Sequence, residues 1–184
     1  DPNLYTDNLK NVISSEYVDL NSNTILDGLT IKGGYTSNNG GGIYVNQTSD
    51  GSFKIKNCTI EENFARGEGG GLYVFNSNPI IENCIFKNNK AYRGGAMYLW
   101  YSDAIISNCE IDNNIADNFP TSGSSSLMAG GIYIGSYSSP RIFNNSITNN
   151  FAKNEGGAFV NDSNYEVTFN NNIVSGNISE DGGA

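Results

Sequence analysis

The stretch that decides the fold is Asn83-Cys84-Ile85-Phe86-Lys87-Asn88-Asn89-Lys90-Ala91, followed by Gly94-Gly95-Ala96-Met97-Tyr98-Leu99. Both blocks recur. The first returns upstream as Asn57-Cys58-Thr59-Ile60-Glu61-Glu62-Asn63-Phe64-Ala65. Downstream it reads Asn108-Cys109-Glu110-Ile111-Asp112-Asn113-Asn114-Ile115-Ala116, then Asn144-Asn145-Ser146-Ile147-Thr148-Asn149-Asn150-Phe151-Ala152. A looser copy starts at Asn170, with Ile173 in the apolar slot and Gly176 in the second Asn slot. An opening copy, Gly28-Leu29-Thr30-Ile31-Lys32-Gly33-Gly34, puts Gly in both Asn slots. The second block recurs as Gly40-Gly41-Gly42-Ile43-Tyr44-Val45, Gly69-Gly70-Gly71-Leu72-Tyr73-Val74, Gly130-Gly131-Ile132-Tyr133-Ile134 and Gly156-Gly157-Ala158-Phe159-Val160. Gly182-Gly183-Ala184 opens a further copy.

One such repeat holds two or three strands of period 2, too little to bury a face alone, so repeats must stack. This predicts an all-β fold: a right-handed, single-stranded parallel β-helix, a solenoid of about six coils. Equivalent residues of stacked coils form ladders about 4.8 Å apart. The expected inward ladders are Ile31, Ile60, Phe86, Ile111, Ile147 and Ile173, then Ile43, Leu72, Met97, Ile132 and Ala158, then Val45, Val74, Leu99, Ile134 and Val160. Asn57, Asn83, Asn108, Asn144 and Asn170 are expected to stack at one turn, and Asn63, Asn89, Asn114 and Asn150 at another. Stacked amides can serve the backbone groups that a turn leaves open. The Gly pairs mark a bend where a side chain would clash or φ must be positive. Residues 1–23 read as a lead-in or partial first coil, and residues 24–184 as the repeats, ending within one.

Composition agrees. Asn and Gly together exceed a quarter of the 184 residues. The net charge of −9 argues against nucleic acid as a partner. No apolar run is long enough for a membrane span in this stretch. Cys58, Cys84 and Cys109 follow one another at 26 and 25 residues, one repeat position shared with Leu29, Asn145 and Asn171. Thiols lined up along an axis do not converge on a metal, and the chain has no His. Small packed free thiols are the expectation, and no cofactor is expected, Ca²⁺ included.

The two blocks resemble the repeats of the chlamydial polymorphic outer-membrane proteins. Those pair a Gly-Gly-Ala-Ile/Leu/Val motif with Phe-x-x-Asn, which Phe86-Lys87-Asn88-Asn89 matches literally. The Gly-Gly-Ala form stands only at Gly94, Gly156 and Gly182. Ile25-Leu26-Asp27-Gly28-Leu29-Thr30-Ile31-Lys32-Gly33-Gly34 is similar to secreted β-helix proteins of the pectin-lyase-like superfamily. The resemblance covers residues 24–184 and implies adhesins, autotransporter-like passengers or polysaccharide-degrading enzymes. It also implies an extracellular or cell-surface location, with flanking coils or caps.

The hydrolases of that superfamily use clustered Asp and a Gly-His-Gly motif, absent here because there is no His. Its lyases use Ca²⁺-binding carboxylates with an Arg or Lys base. Here Arg66, Arg93 and Arg141 stand in different coils. The carboxylates follow a charge alternation from coil to coil: Lys32, Glu61, Lys87, Asp112, Thr148. Glu68 shares a slot with Arg93, and Lys56 with Glu82. No catalytic residue is assigned.

Two features suggest binding. If Ile43, Leu72, Met97 and Ile132 face inward, then Tyr44, Tyr73, Tyr98, Tyr133 and Phe159 face outward, as do Phe75 and Trp100. Such a stripe of rings can stack on sugars or anchor a protein, or stack on itself and stiffen the sheet. The spacing from Asn108 to Asn144 is 36 residues, so residues 117–128 must loop out. Asn118, Phe119, Ser124 and Met128 are the candidate loop contacts. The reading is a non-catalytic surface module, adhesin-like or a rigid spacer, facing a polysaccharide or a cell-surface protein. The alternative is the scaffold of a polysaccharide lyase or glycoside hydrolase.

Overall fold

A computed structural model describes residues 10–18, 20–117 and 127–180. One coil consists of the strands Leu72–Ser77, Ile80–Glu82, Ile85–Lys87 and Lys90–Ala91. Each pairs in parallel with its counterparts in neighbouring coils. Among the described residues this gives four parallel sheets of six strands, a right-handed parallel β-solenoid of about six coils. They are numbered here by their order within the coil. A strand at Ile13–Glu16 pairs with Ile43–Asn46 in the first sheet, so a first coil is under way before residue 24.

The strands are short because the chain turns sharply between them. Asn83 (φ 55) and Asn88 (φ 56) sit in the left-handed region, which Asn tolerates better than other residues with a side chain. Their counterparts Asn57, Asn108, Asn144 and Asn171, and Glu62, Asn113 and Asn149, do the same. The first expected Asn ladder is therefore an exposed row of corner residues, fixed by backbone conformation more than by amide stacking.

The second expected ladder is a true one. Asn89 Nδ2 donates to Asn114 Oδ1 at 3.0 Å and to Ile60 O at 2.9 Å. Its Oδ1 accepts from Asn63 N and Nδ2 at 3.2 and 3.0 Å. The pattern runs from Asn63 through Asn89, Asn114 and Asn150 to Asn177. At its other end Gly34 N donates to Asn63 Oδ1 at 2.9 Å. All but Asn177 are buried, so each amide meets the requirement that buried polar groups be paired. Cys58, Cys84 and Cys109 are buried free thiols at the turn between the second and third sheets. Their column continues as a second amide pair, with Asn145 Nδ2 donating to Asn172 Oδ1 at 3.0 Å. The shared hydrogen bond with Cys109, together with burial, pushes the Cys84 thiol up.

The core lies inside the four sheets. Ile43, Leu72, Met97 and Ile132 fill one wall, Ile55, Ile81, Ile106 and Ile142 the next, and Ile31, Ile60, Phe86, Ile111 and Ile147 the third. Each large aliphatic contributes roughly 1.5–3 kcal/mol before entropy costs. Gly69 takes φ +67 at the bend, and a Cβ on Gly70 would sit 2.4 Å from Gly95 O. Both readings of the Gly pair thus hold, one for each glycine.

The last coil lies one residue away from the expected register. Ile132 pairs with Phe159 and Tyr133 with Val160, so Phe159, not Ala158, takes the inward slot. Ile147 likewise pairs with Val174 rather than Ile173. The corner row continues through Asn171, not Asn170, and the amide ladder through Asn177, not Gly176. The long coil leaves the solenoid undisturbed. Ala116 pairs with Ala91 on one side and Ala152 on the other, and the chain rejoins at Ala129, which bridges to Gly156.

Candidate ligand-binding surfaces

The outer face of the first sheet carries the aromatic residues. Parallel register places Tyr44, Tyr73, Tyr98 and Tyr133 in one row. Their rings stack at 5.3, 5.5 and 4.9 Å between centroids, within 6–11° of parallel. Face-to-face rings leave no face for a ligand except at the ends of the stack. Tyr73, Tyr98 and Tyr133 are only 5, 4 and 2% exposed. The turn entering the first sheet folds over them. Ala129 packs on the rings, and the Arg93 guanidinium lies 5.7 Å from the Tyr133 ring centroid.

The expected stripe of exposed rings is therefore corrected at these three positions, which form a covered second layer. Phe159 also leaves the stripe: it faces the core and stacks on Phe169 at 4.6 Å. Val160 takes its place beside the tyrosines.

Electrostatics agree with burial. Desolvation pushes the Tyr98 phenol up to about 12, and those of Tyr73 and Tyr133 higher. Tyr133 Oη donates to Asp162 Oδ2 at 2.8 Å. Burial pushes the Glu68 carboxyl up, against the pull of Arg93 at 3.7 Å.

Two residues further along the strands the rings emerge. Phe75 and Trp100 are paired in register and meet edge to face at 5.5 Å. Tyr101 (φ 52) and Tyr137 (φ 58) occupy the left-handed corner after the strand. They stack at 4.6 Å, and Tyr165 of the next coil lies 5.9 Å from Tyr137. Trp100, Tyr101, Tyr137 and Tyr165 are 36, 41, 51 and 53% exposed. They form a continuous aromatic ledge with Phe75, which is half-buried. Sequence alternation found Phe75 and Trp100 but missed the three tyrosines, which lie beyond the strand ends. A signal existed, since Asn76-Ser77, Tyr101-Ser102 and Tyr137-Ser138 are one repeat position.

Of the loop candidates, Asn118, Phe119 and Ser124 lie outside the described residues. Met128 is fully buried against Ala116, Ala152 and Tyr92, so it anchors the returning chain and is not a contact residue.

The carboxylates follow the charge ladder. Glu61 lies 3.3 Å from Lys32 and 3.1 Å from Lys87, and the Lys87 hydrogen bond leads in holding its pKa down. Asp112 accepts from Thr148 Oγ1 and Asn149 Nδ2, each at 2.8 Å. Lys56 stands in register between Asp27 and Glu82, the slot-mate the repeat gives it, and makes its ion pair with Asp27 at 3.3 Å. Among the described residues no three His, Cys, Asp or Glu side chains gather as a metal site would require, and no helix is long and apolar enough to cross a membrane.

Comparison with known proteins adds the following. A family described as right handed beta helix region matches residues 11–183. A protein of Escherichia coli (strain K12) named probable autotransporter YfaL is 31% identical over 85 residues. That alignment covers 44% of this chain and 6% of the relative, so the chain spans a small part of that protein's length. No solved structure matches.

Proposed function

Because the chain belongs to the right-handed β-helix family, we propose that it is a non-catalytic β-helix segment of an extracellular or cell-surface protein, presenting the aromatic ledge to a polysaccharide or a cell-surface protein. The observation that carries this reading is the continuity of Trp100, Tyr101, Tyr137 and Tyr165 as exposed rings on adjacent coils. Aromatic rings with one polar edge dominate binding patches because they bring large apolar area at low entropy cost. The similarity to a probable autotransporter supports the location. The pairing of Glu61 and the hydrogen bonds of Asp112 support a scaffolding role for these carboxylates. The reading needs no cofactor.

The test is retention of the purified chain on immobilised polysaccharides and on intact cells, with and without Ca²⁺, scoring soluble product alongside. Retention without product is expected, and it should be lost when Trp100→Ala and Tyr137→Ala are combined. Product formation would overturn the non-catalytic reading in favour of a lyase or hydrolase scaffold. Retention that survives the double substitution would overturn the role of the ledge.

A further inference from the structure

The buried stack and the exposed ledge are joined into one network of rings. Tyr98, in the middle of the stack, meets the indole of Trp100 edge to face at 6.5 Å and stacks on Tyr133 at 4.9 Å. Trp100 also touches Tyr101 at 6.1 Å, and it is the single tryptophan of the chain. An indole that is 36% exposed is thus linked, by two ring contacts, to a phenol that is 2% exposed. Indole and phenol are the aromatic side chains that give up a single electron most readily, and rings in contact pass electrons between them.

The four stacked phenols differ in where a proton can go. A phenol that has lost an electron is a strong acid, so the electron leaves for good only where a base takes the proton. Tyr44 Oη accepts from Asn46 Nδ2 at 3.1 Å. Tyr73 Oη pairs with the Asn39 amide and Tyr98 Oη with the Arg93 guanidinium. Neither an amide nor a guanidinium serves as a base. Tyr133 Oη instead donates to Asp162 Oδ2 at 2.8 Å. Asp162 is exposed, so it can hand a proton on to water. The Arg93 guanidinium, 5.7 Å from the Tyr133 ring centroid, opposes any positive charge left on that ring, which ties the departure of the electron to that of the proton. The ledge phenols of Tyr101 and Tyr137 are open to water, a far weaker base than a carboxylate.

We propose that Tyr133 is a redox-active tyrosine: a one-electron oxidant that meets the ledge draws its electron from Tyr133, by way of Trp100 and Tyr98, while Asp162 takes the proton. The oxidant takes one electron from the Trp100 indole and leaves reduced. Tyr133 refills Trp100 through the Tyr98 ring. The Tyr133 Oη–H bond breaks, and its proton moves to Asp162 Oδ2 and then to water. Tyr133 is left as a neutral phenoxyl radical, and the chain has lost one electron and one proton, both from that residue. The buried radical is out of reach of a second one, whereas an indole radical on the ledge would be open to oxygen and to other chains. This activity does not depend on what the ledge binds.

The test is pulse radiolysis of the 184-residue chain with azidyl radical, a one-electron oxidant that prefers indole. Optical absorption should show the tryptophan radical decaying as a tyrosyl radical grows, at a rate independent of protein concentration. Tyr133→Phe keeps the stacked ring, and Asp162→Asn keeps the shape of its partner. Each should slow the transfer roughly tenfold or more, as loss of a positioned proton acceptor does. Circular dichroism reports that each variant is folded. Electron paramagnetic resonance of the oxidised, frozen chain should show a tyrosyl signal that is lost in Tyr133→Phe. Under a steady supply of azidyl radical, mass spectrometry should find Trp100 oxygenated several-fold faster in Tyr133→Phe. A tryptophan radical that never passes to tyrosine would overturn the proposal. So would a transfer unchanged in both Tyr133→Phe and Asp162→Asn, or one abolished when Tyr101→Phe and Tyr137→Phe are combined.

Discussion

The buried tyrosine stack lies on the first sheet, the exposed ledge runs from the end of that sheet onto the corner beyond it, and both are built from the same kind of residue. Tyr98 and Tyr101 are three positions apart, yet one is sealed and the other is open to solvent. The difference comes from what the preceding turn covers. Arg93 and Ala129 reach over the first row, while the second lies at the far end of the strand, past their reach. In the stack, rings are structural because every face but the last is occupied. In the ledge, rings keep edges and hydroxyls in water, where a partner can displace it. A repeat therefore sorts its aromatics into scaffold and surface by their distance from the turn, not by side-chain alternation.

Substitution should separate the two rows most sharply. Tyr98→Ala should cost about 3–5 kcal/mol in denaturant unfolding, because it empties the middle of a packed stack. Tyr137→Ala should cost about 1 kcal/mol or less. Equal costs would erase the distinction.

Alkaline pH should come next. The folded chain holds the Tyr98 proton up to about 12, whereas an unfolded tyrosine releases it near 10. In that window the folded state binds more protons, so stability is intact below pH 10 and falls as pH rises toward 12. Tyr98 alone accounts for on the order of 2–3 kcal/mol, and Tyr73 and Tyr133 add to it. Denaturant melts at rising pH, read beside phenolate absorbance, would check this. Full phenolate formation near pH 10 with the fold intact would mean that the stack is open. A smaller effect than the loss of Tyr98 or its ionisation belongs to Tyr133→Phe, which loses one hydrogen bond to an exposed Asp162 and should cost about 1 kcal/mol.

Much of this was legible in the sequence. The fold, the inward ladders and the Asn63 to Asn150 row follow from period and composition alone, because every coil repeats the same constraint. The last coil was misread by one residue where the markers are ambiguous. Asn170-Asn171-Asn172 offers three starting points, and Gly130-Gly131-Ile132 lacks the residue between the glycines and the core that Gly94-Gly95-Ala96-Met97 has. Matching Gly156-Gly157-Ala158-Phe159 to the latter gives the observed register. Burial of the tyrosines was not legible, because alternation says which way a side chain points but not what folds over it. Tyr101 and Tyr137 escaped because the rule of two ends where the backbone turns left-handed. That the stack stops at Tyr44 depends on which residue of an earlier coil falls opposite, and only the pairing of Ser14 with Tyr44 reveals it.

The buried amide ladder carries an arrow. Each Asn gives both its backbone N–H and its side-chain NH₂ to the Oδ1 of the following coil. An Asn can therefore follow a residue that has no amide, as Asn63 follows Gly34 and Asn145 follows Cys109, because a backbone N–H is all it must receive. The reverse order would strand two buried donors. Both columns obey this grammar over the described coils: once Asn enters, it persists to the last of them. The solenoid is thus a directional polymer, in which a coil's permissible successors differ from its permissible predecessors. Any shuffling of its coils, by evolution or by design, has to respect that order.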